Sequence, residues 1–187
     1  QNPVENVSWN NAIAFCRKLS GKTSKNFRLP TEAEWKYACR AGSSFQCDLG
    51  DVECQFGDYA WYAENSGNSS RPVGQKKMNS WGLYDMHGNV WEWCQDWFDA
   101  KYYSCAPRRN SHMFNSEASR AFRGGSWNSN SRYYCSTIRI ARPTYHCNEL
   151  GFRVVVAKTA ENCLPKAFPQ NKKISHHVPT VRKYRSS

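Results

Sequence analysis

Apolar positions between Ser8 and Leu19 recur at the spacing of one face of an α-helix. Side chains at intervals of about 3.6 residues share a helix face, and the stripe consists of Ala12, Ile13, Phe15, Cys16 and Leu19. Ser8 precedes the stripe and is a favoured N-cap residue, whereas Gly21 follows it and favours the conformation that ends a helix. The pattern predicts a helix over 7–20 that stops at Gly21.

A second helical pattern follows a short extended stretch at 27–30. The residue before a proline is pushed away from the helical conformation, so this stretch precedes the helix. Thr31 and Glu34 have the spacing of a capping box, in which each side chain bonds the backbone amide of the other residue. We therefore predict a second helix that begins at Thr31 and ends at Gly42. Its apolar positions are Ala33, Trp35, Tyr37, Ala38 and Cys39.

Three stretches have the character of strands. In 90–97 tryptophans occupy alternate positions, which is the period of a strand with one buried face. The other two are 120–127 and 151–157, the latter with a run of valines. Polar stretches at 43–79 and 99–119 predict loops. The chain is therefore expected to be an α+β domain with small sheets, two short helices and long loops.

Charge separates the end of the chain from the rest. The net charge is +11, and 158–187 holds seven Lys or Arg against one acid, Glu161. Prolines interrupt this segment and it has no helical period, so we predict a basic, flexible tail. It also lacks an aromatic stacking pattern, which disfavours nucleic acid as a partner. The expected organisation is one domain over 1–157 followed by the tail 158–187.

Cysteine usage and hydropathy bear on the compartment. Nine cysteines are an odd number, so at least one thiol is free if the others pair. No CxxC pair occurs, which argues against a zinc knuckle. No run approaches the roughly 18 apolar residues of a membrane helix, and the first residues lack a signal-peptide pattern. These features predict no membrane association. The high cysteine count favours an oxidising compartment and the missing signal pattern favours the cytoplasm, so the compartment stays open with the cytoplasm slightly favoured.

Four sequence blocks resemble those of one family. They are FRLPTEAEWKYACRAG, SWGLYDMHGNVWEWCQDWF, RGGSW and LGFRVV, at 27–42, 80–98, 123–127 and 150–155. In order and content they resemble the formylglycine-generating-enzyme-like, or sulfatase-modifying-factor, domain family, which has a C-type-lectin-like fold. The resemblance implies that fold for this chain. It also implies that an N-terminal part of the family domain is missing here.

The catalytic cysteines of the family are not matched. Its oxidase members convert a sulfatase cysteine to formylglycine with a copper-binding CxxxxC pair after GGS(W/Y), and thiolates suit copper(I). Between Ser126 and Pro143 this chain has a single cysteine, Cys135. We therefore expect no catalytic residue and no copper, with an oxidase acting on sulfatase cysteines as the alternative. The resemblance also implies a disulfide between Cys39 and Cys135.

The resemblance implies a calcium site in the second block. The family's ligands match the side chains of Asp85 and Glu92 and the backbone carbonyls of Gly88 and Val90. Calcium binds oxygen ligands and takes about six to eight of them. The alternative is that both carboxylates bond backbone amides of turns while Asn89 adopts a left-handed conformation.

The stretch 128–147 has no apolar period and is rich in residue types common on contact surfaces. Tyr and Arg offer contact area and hydrogen bonds at small entropic cost. Non-catalytic members of the resembling family include variable proteins of diversity-generating retroelements, whose last segment before GFRVV is altered by adenine-directed mutagenesis. We therefore predict a non-catalytic protein that binds a protein or other macromolecule through this surface, with an ordinary polar loop pair as the alternative. The candidate ligand-binding residues are Asn128, Asn130, Arg132, Tyr133, Tyr134, Ile138, Arg139, Ile140, Arg142, Thr144, Tyr145 and His146.

Overall fold

The computed structural model describes residues 1–43, 56–98, 119–130 and 139–157. All of them belong to one compact unit, Gln1–Ala157. Their helices are α1 (Trp9–Thr23), α2 (Glu32–Arg40) and α3 (Phe56–Tyr59). Their strands are β1 (Asn26–Arg28), β2 (Trp91–Trp97), β3 (Arg120–Arg123), β4 (Arg139–Ala141), β5 (Leu150–Gly151) and β6 (Val155–Ala157). None of the described helices has the length and apolar content that a membrane span requires.

The strands form two small sheets. β1 and β6 pair with each other, and the second sheet has the order β4-β3-β2-β5. β5 runs parallel to β2, whereas the other neighbours are antiparallel. The predicted α+β class with small sheets is confirmed. The described residues contain a third helix, because α3 has only four residues and is too short to produce a helical period.

Helix α1 begins where the pattern predicts but ends later. Ser8 is the N-cap and its hydroxyl oxygen accepts from the backbone amide of Asn11 at 3.2 Å. The prediction that Gly21 stops the helix is wrong, since α1 continues to Thr23 and is capped by Ser24 at φ 55°. A glycine inside a helix costs only about 1 kcal/mol relative to alanine, so it does not force an end.

Helix α2 confirms the capping box. The Thr31 backbone amide donates to a Glu34 carboxylate oxygen at 2.8 Å, and the Glu34 amide donates to the Thr31 hydroxyl at 3.1 Å. The helix ends at a left-handed Ala41 and Gly42, with φ of 46° and 88°. Its buried face carries Trp35, which lies close to the site described below.

Strand β2 forms the centre of the core. Its first four residues are all buried, so the predicted alternation of one buried and one exposed face is wrong there. Trp93 packs edge-on against Phe122 at a ring-centroid distance of 5.2 Å. The neighbouring Glu92 is covered by Trp35 of α2. Covering on both faces removes the alternation that a half-exposed strand would show.

The stretch predicted as one strand at 151–157 is two strands in different sheets. β5 pairs with β2, and β6 pairs with β1. Between them, Phe152 packs edge-on against Phe15 with ring centroids 5.4 Å apart. Arg153 contacts Glu92 instead of continuing a ladder. The chain thus crosses from one sheet to the other at the residues that line the candidate site.

Candidate functional site

Two left-handed residues shape the turn that leads into β2. Gly88 has φ 77°, and a Cβ at this position would collide with the backbone carbonyl of Trp61, so only glycine fits. Asn89 has φ 63°. Its side-chain amide exchanges two hydrogen bonds of 3.0 Å with the backbone of Arg71. The left-handed Asn89 of the turn-capping alternative is therefore confirmed.

Only one carboxylate oxygen of Asp85 accepts a hydrogen bond from the backbone of a turn. Its Oδ2 accepts from the backbone amide of Gly74 at 2.8 Å. Its Oδ1 is buried and has no hydrogen-bond partner among the described residues. Burial raises the pKa of Asp85 above its ordinary value, and the negative charge of Glu92 raises it further. The hydrogen bond from the Gly74 amide and the positive charge of Arg153 lower this pKa but do not cancel the increase. One oxygen of Asp85 is thus available to a further donor or cation.

Both oxygens of the buried Glu92 are already in use. Oε2 accepts from Trp35 Nε1 at 2.7 Å and from Arg153 Nε at 2.5 Å, and Oε1 accepts from Arg153 Nη2 at 2.7 Å. The same Nη2 donates to the carbonyl oxygens of Tyr84 and Asp85 at 3.2 Å. This bidentate pairing of an arginine with a carboxylate is stronger than a single hydrogen bond between neutral groups.

Arg153 engages one of the four predicted calcium ligands, Glu92. An ion bound by Glu92 would have to displace a guanidinium that already compensates the carboxylate charge. The Asp85 Oδ1 atom has no partner among the described residues, and Asp85, Gly88, Val90 and Glu92 together line a cavity of about 320 Å³, whereas calcium takes about six to eight oxygens. Calcium at Asp85, Gly88, Val90 and Glu92 therefore stays a prediction, and the contacts of Glu92 weigh against it.

Arg153 is the residue of this site that the sequence reasoning missed. It lies inside the LGFRVV block, whose valine run was interpreted only as a strand. A cation inside an otherwise apolar run is a usable signal, because a charge there requires a partner of opposite charge. The partner, Glu92, is 61 residues away in the chain, so the pairing itself is not visible in the local pattern.

Most of the described part of 128–147 is exposed. The exposed candidates are Asn128, Asn130, Arg139, Arg142, Thr144, Tyr145 and His146. Ile140 is partly buried and pairs with Ala121 in the β3–β4 ladder. Arg132, Tyr133, Tyr134 and Ile138 lie outside the described residues. On either side the chain returns to the core, at Trp127 and Leu150.

Glu149 holds the beginning of this segment in place. Its carboxylate accepts from the Ser126 hydroxyl at 2.5 Å and from the Asn128 side-chain amide at 3.1 Å. Ser126 is 0% exposed, so it is a buried support and not a surface nucleophile. The Trp127 indole nitrogen adds a bond to the Asn148 carbonyl at 3.1 Å. These bonds join the two ends of the exposed segment to each other.

The predicted disulfide lies only half within the described residues. Cys135 is outside them, so the pairing stays a prediction. The Cys39 sulfur lies 3.7 Å from His87 Nε2, and both side chains are buried. Within the described part of the chain no three His, Cys, Asp or Glu side chains group to hold a metal ion. Among the described residues, Cys39 and His87 therefore lack the third ligand that a metal site would need.

Known proteins match this chain over most of its length. Residues 1–158 match the family model of the sulfatase-modifying factor enzyme 1-like domain. The chain is 38% identical over 168 residues to the formylglycine-generating enzyme of Streptomyces coelicolor, covering 81% of this chain and 51% of that enzyme. For the formylglycine-generating enzyme of Mus musculus the identity is 33% over 167 residues, covering 81% and 43%. The chain thus spans about half the length of the curated relatives it matches.

Two solved structures share the fold and part of the sequence. Treponema denticola variable protein 1 superposes with a TM-score of 0.68 at 33% identity, covering 82% of this chain and 70% of that chain. PvdO from Pseudomonas aeruginosa gives a TM-score of 0.70 at 30% identity, covering 83% and 62%. With the family match over 1–158, they establish that the chain belongs to the FGE-sulfatase family as a sulfatase-modifying factor enzyme 1-like domain.

Proposed function

We propose that this chain is a non-catalytic ligand-binding protein and that 128–147 is its binding face. The observation that carries the proposal is a sharp change in burial along the chain. Buried residues at Trp127 and Leu150 enclose a segment whose described candidate side chains are mostly exposed. A fold that retained this segment only for packing would bury more of it.

In the described part, the face is supported by strand β4. Arg139 pairs with Phe122 and Ala141 with Arg120 in the β3–β4 ladder. Ala141 is 6% exposed and anchors the strand in the core. A binding surface on a sheet loses less conformational entropy on association than one on an unsupported loop. The strand therefore supports presentation of side chains to a partner.

The exposed side chains are of the kind that dominates interfaces. Arg139 and Arg142 are exposed, and Tyr145 is 48% exposed. Arginine and tyrosine are enriched among the few residues that supply most binding energy. Their area and hydrogen-bonding capacity suit a protein or another macromolecule better than a small molecule. The similarity to variable protein 1 of Treponema denticola supports the further hypothesis that this segment is diversified by a retroelement.

The alternative function is a formylglycine-generating oxidase acting on sulfatase cysteines. The observation that favours it is the 38% identity to the formylglycine-generating enzyme of Streptomyces coelicolor. Against it stands the single cysteine, Cys135, between Ser126 and Pro143. One thiolate cannot supply the pair of soft ligands on which copper(I) binding in the family's oxidases relies. We therefore favour a ligand-binding function over a formylglycine-generating oxidase function.

The proposal is tested by selecting ligands and then changing the face. A phage-displayed peptide library is selected on the wild-type chain, and the recovered peptides are titrated by calorimetry. The variant Arg139→Ala, Arg142→Ala, Tyr145→Ala should bind them at least about tenfold more weakly, since a hot-spot truncation costs over about 1 kcal/mol.

The matched control removes the same residue types from another exposed surface. Arg17→Ala, Arg40→Ala, Tyr37→Ala changes two exposed arginines and one exposed tyrosine on α1 and α2. This control should bind the peptides as the wild type does. Equal affinity of all three proteins would refute the assignment of 128–147 as the binding face.

A further inference from the structure

The proposed binding face carries charge of one sign. The segment 128–147 contains three arginines and no Asp or Glu. Over the wider stretch 118–160 the single acidic residue is Glu149. Protein surfaces generally mix both signs of charge, so a stretch with cations alone indicates a preference for a partner of the opposite sign.

The carboxylate of Glu149 does not compensate these arginines. Its oxygens accept from the Ser126 hydroxyl at 2.5 Å and from the Asn128 side-chain amide at 3.1 Å, which are both neutral donors. Among the described residues it forms no ion pair with an arginine. The acid nearest to the face in the sequence thus supports the base of the segment and leaves its positive charge in place.

Arginines of the fold and arginines of the face differ in their partners. The three neighbouring arginines of the fold have partners within the chain, which are acids for Arg123 and Arg153 and tryptophan rings for Arg120. Arg139 and Arg142 are both exposed, and neither has an ion-pair partner within the described part of the chain. The two guanidinium groups of the face are therefore available to an external anion.

Strand β4 and the turn after it determine where these groups lie. Arg139 pairs with Phe122 in the ladder, and its guanidinium carbon lies 6.0 Å from the centre of the Trp91 ring. Arg142 follows β4 directly, and its carbonyl oxygen accepts from the Tyr145 amide at 2.9 Å. A guanidinium presents its donors in a planar fork that matches the two oxygens of a carboxylate. Tyr145, which is 48% exposed, adds an aromatic surface at the same turn.

We propose that the face recognises an acidic protein or peptide whose carboxylates are bound by Arg139 and Arg142. This inference rests on the proposed binding role of 128–147 and adds the class of partner. Carboxylates are favoured over a nucleic acid, because nucleic-acid binding relies on a run of cations that neutralise several phosphates. The described face instead presents two arginines beside the ring of Tyr145, which suits a short acidic sequence with an aromatic or apolar neighbour.

The test measures the binding of fluorescein-labelled peptides to the whole chain by fluorescence anisotropy. The acidic probe is a hexapeptide of alternating glutamate and tyrosine, and the neutral probe has glutamine in place of each glutamate. The wild type should bind the acidic probe at least about tenfold more tightly, because hydrogen bonds between charged groups are stronger than neutral ones. Equal binding of the two probes would overturn the proposal.

Charge variants locate the preference for the acidic probe. Arg139→Gln, Arg142→Gln should lose it. Arg17→Gln, Arg40→Gln removes two charges from exposed positions on α1 and α2 and should keep it. This control is required because the net charge of +11 attracts any acidic probe. An equal loss of the preference in both variants, or its persistence in the first, would contradict the assignment.

The variant Arg139→Lys, Arg142→Lys tests the fork separately from the charge. It should bind the acidic probe about three- to tenfold more weakly than the wild type, because lysine keeps the charge but cannot pair with both carboxylate oxygens in a plane. All these variants should melt within about 1–2 °C of the wild type, since they change exposed side chains. Wild-type affinity of the lysine variant would show that general attraction, and not carboxylate recognition, holds the probe.

Two more outcomes separate this inference from its alternatives. A labelled oligothymidylate that binds more tightly than the acidic probe and is released by Arg139→Gln, Arg142→Gln would identify a nucleic acid as the partner and overturn the proposal. The phage-selected peptides give the other comparison. If the alanine variant of the face weakens them but changing their acidic residues to amides does not, the binding face stands and the acidic partner is wrong. If the alanine variant binds them normally, the proposed function itself fails.

Discussion

Strands β2 and β4 lie in one sheet, separated only by β3, and they have opposite environments. The first four residues of β2 are buried, whereas Arg139 at the start of β4 and most described residues that follow it are exposed. Contacts on both faces explain the burial of β2, because Trp35 of α2 bonds Glu92 and Phe122 packs against Trp93. Edge position alone does not expose a strand, since β5 at the other edge of the described sheet is buried. We therefore assign stability to β2 and the proposed binding role to the exposed edge segment that begins at β4. The predictions below test this division.

The largest expected effect is that of Trp93→Ala. Trp93 is 0% exposed, and its indole nitrogen donates to the Val7 carbonyl at 3.0 Å. Removing it should lower the free energy of unfolding by about 3–5 kcal/mol, since it leaves a cavity and an unpaired carbonyl. Trp81→Ala, at a position that is 45% exposed, is the control for urea unfolding. Similar losses for both variants would contradict a core centred on β2.

Two glycine variants should change stability in opposite directions. Gly88→Ala should destabilise by about 2 kcal/mol or more, because its φ of 77° is unfavourable for alanine and its Cβ meets the Trp61 carbonyl. Gly21→Ala should stabilise by about 0.4–1 kcal/mol, since a Cβ there has no neighbour within 4 Å and alanine favours the helix. Urea unfolding measures both. A destabilising Gly21→Ala would show that α1 does end at Gly21.

These variants also mark what the sequence can predict. The capping box of Thr31 and Glu34 was predictable because both partners lie within one helical turn. The end of α1 was not, because Gly21 is compatible with a helix and tertiary packing decides where the helix stops. The environment of Glu92 was not predictable either. Its partners, Trp35 and Arg153, are 57 and 61 residues away, and no local period encodes such a pairing.

Acid should remove a small contribution of Glu34. Hydrogen bonds from Arg28 hold the pKa of Glu34 at about 2, against an ordinary 4.5. Because the pKa is lower in the folded chain, the stabilisation is present above pH 4.5 and is lost as the pH falls towards 2. Both side chains are partly exposed, so solvent screening limits the effect to less than about 1 kcal/mol.

Glu34→Gln isolates this charge, because glutamine also completes a capping box. The variant should lose stability at neutral pH and should show a flatter dependence on pH between 4.5 and 2. Urea unfolding across that range measures it, with the exposed Glu64→Gln as the control. An unchanged slope for Glu34→Gln would mean that the ion pair with Arg28 contributes nothing to stability.

The smallest expected effect on stability belongs to the proposed binding face. Arg139→Ala and Tyr145→Ala should each leave the melting temperature within about 1–2 °C, since surface changes usually stay within about 0.5 kcal/mol. Both side chains are exposed. Differential scanning calorimetry checks this against Trp93→Ala. A loss comparable with that of Trp93→Ala would make the edge segment part of the core and would remove the distinction between the two regions.

The central claim is that this chain is a ligand-binding protein and does not oxidise sulfatase cysteines. An assay for formylglycine tests this claim most directly. The whole chain is supplied with copper, oxygen, a thiol reductant and a peptide with the CxPxR pattern, and the products are read by mass spectrometry. The single cysteine between Ser126 and Pro143, Cys135, predicts no conversion above the control without protein. Conversion that disappears in Cys135→Ser would contradict the claim and establish the oxidase.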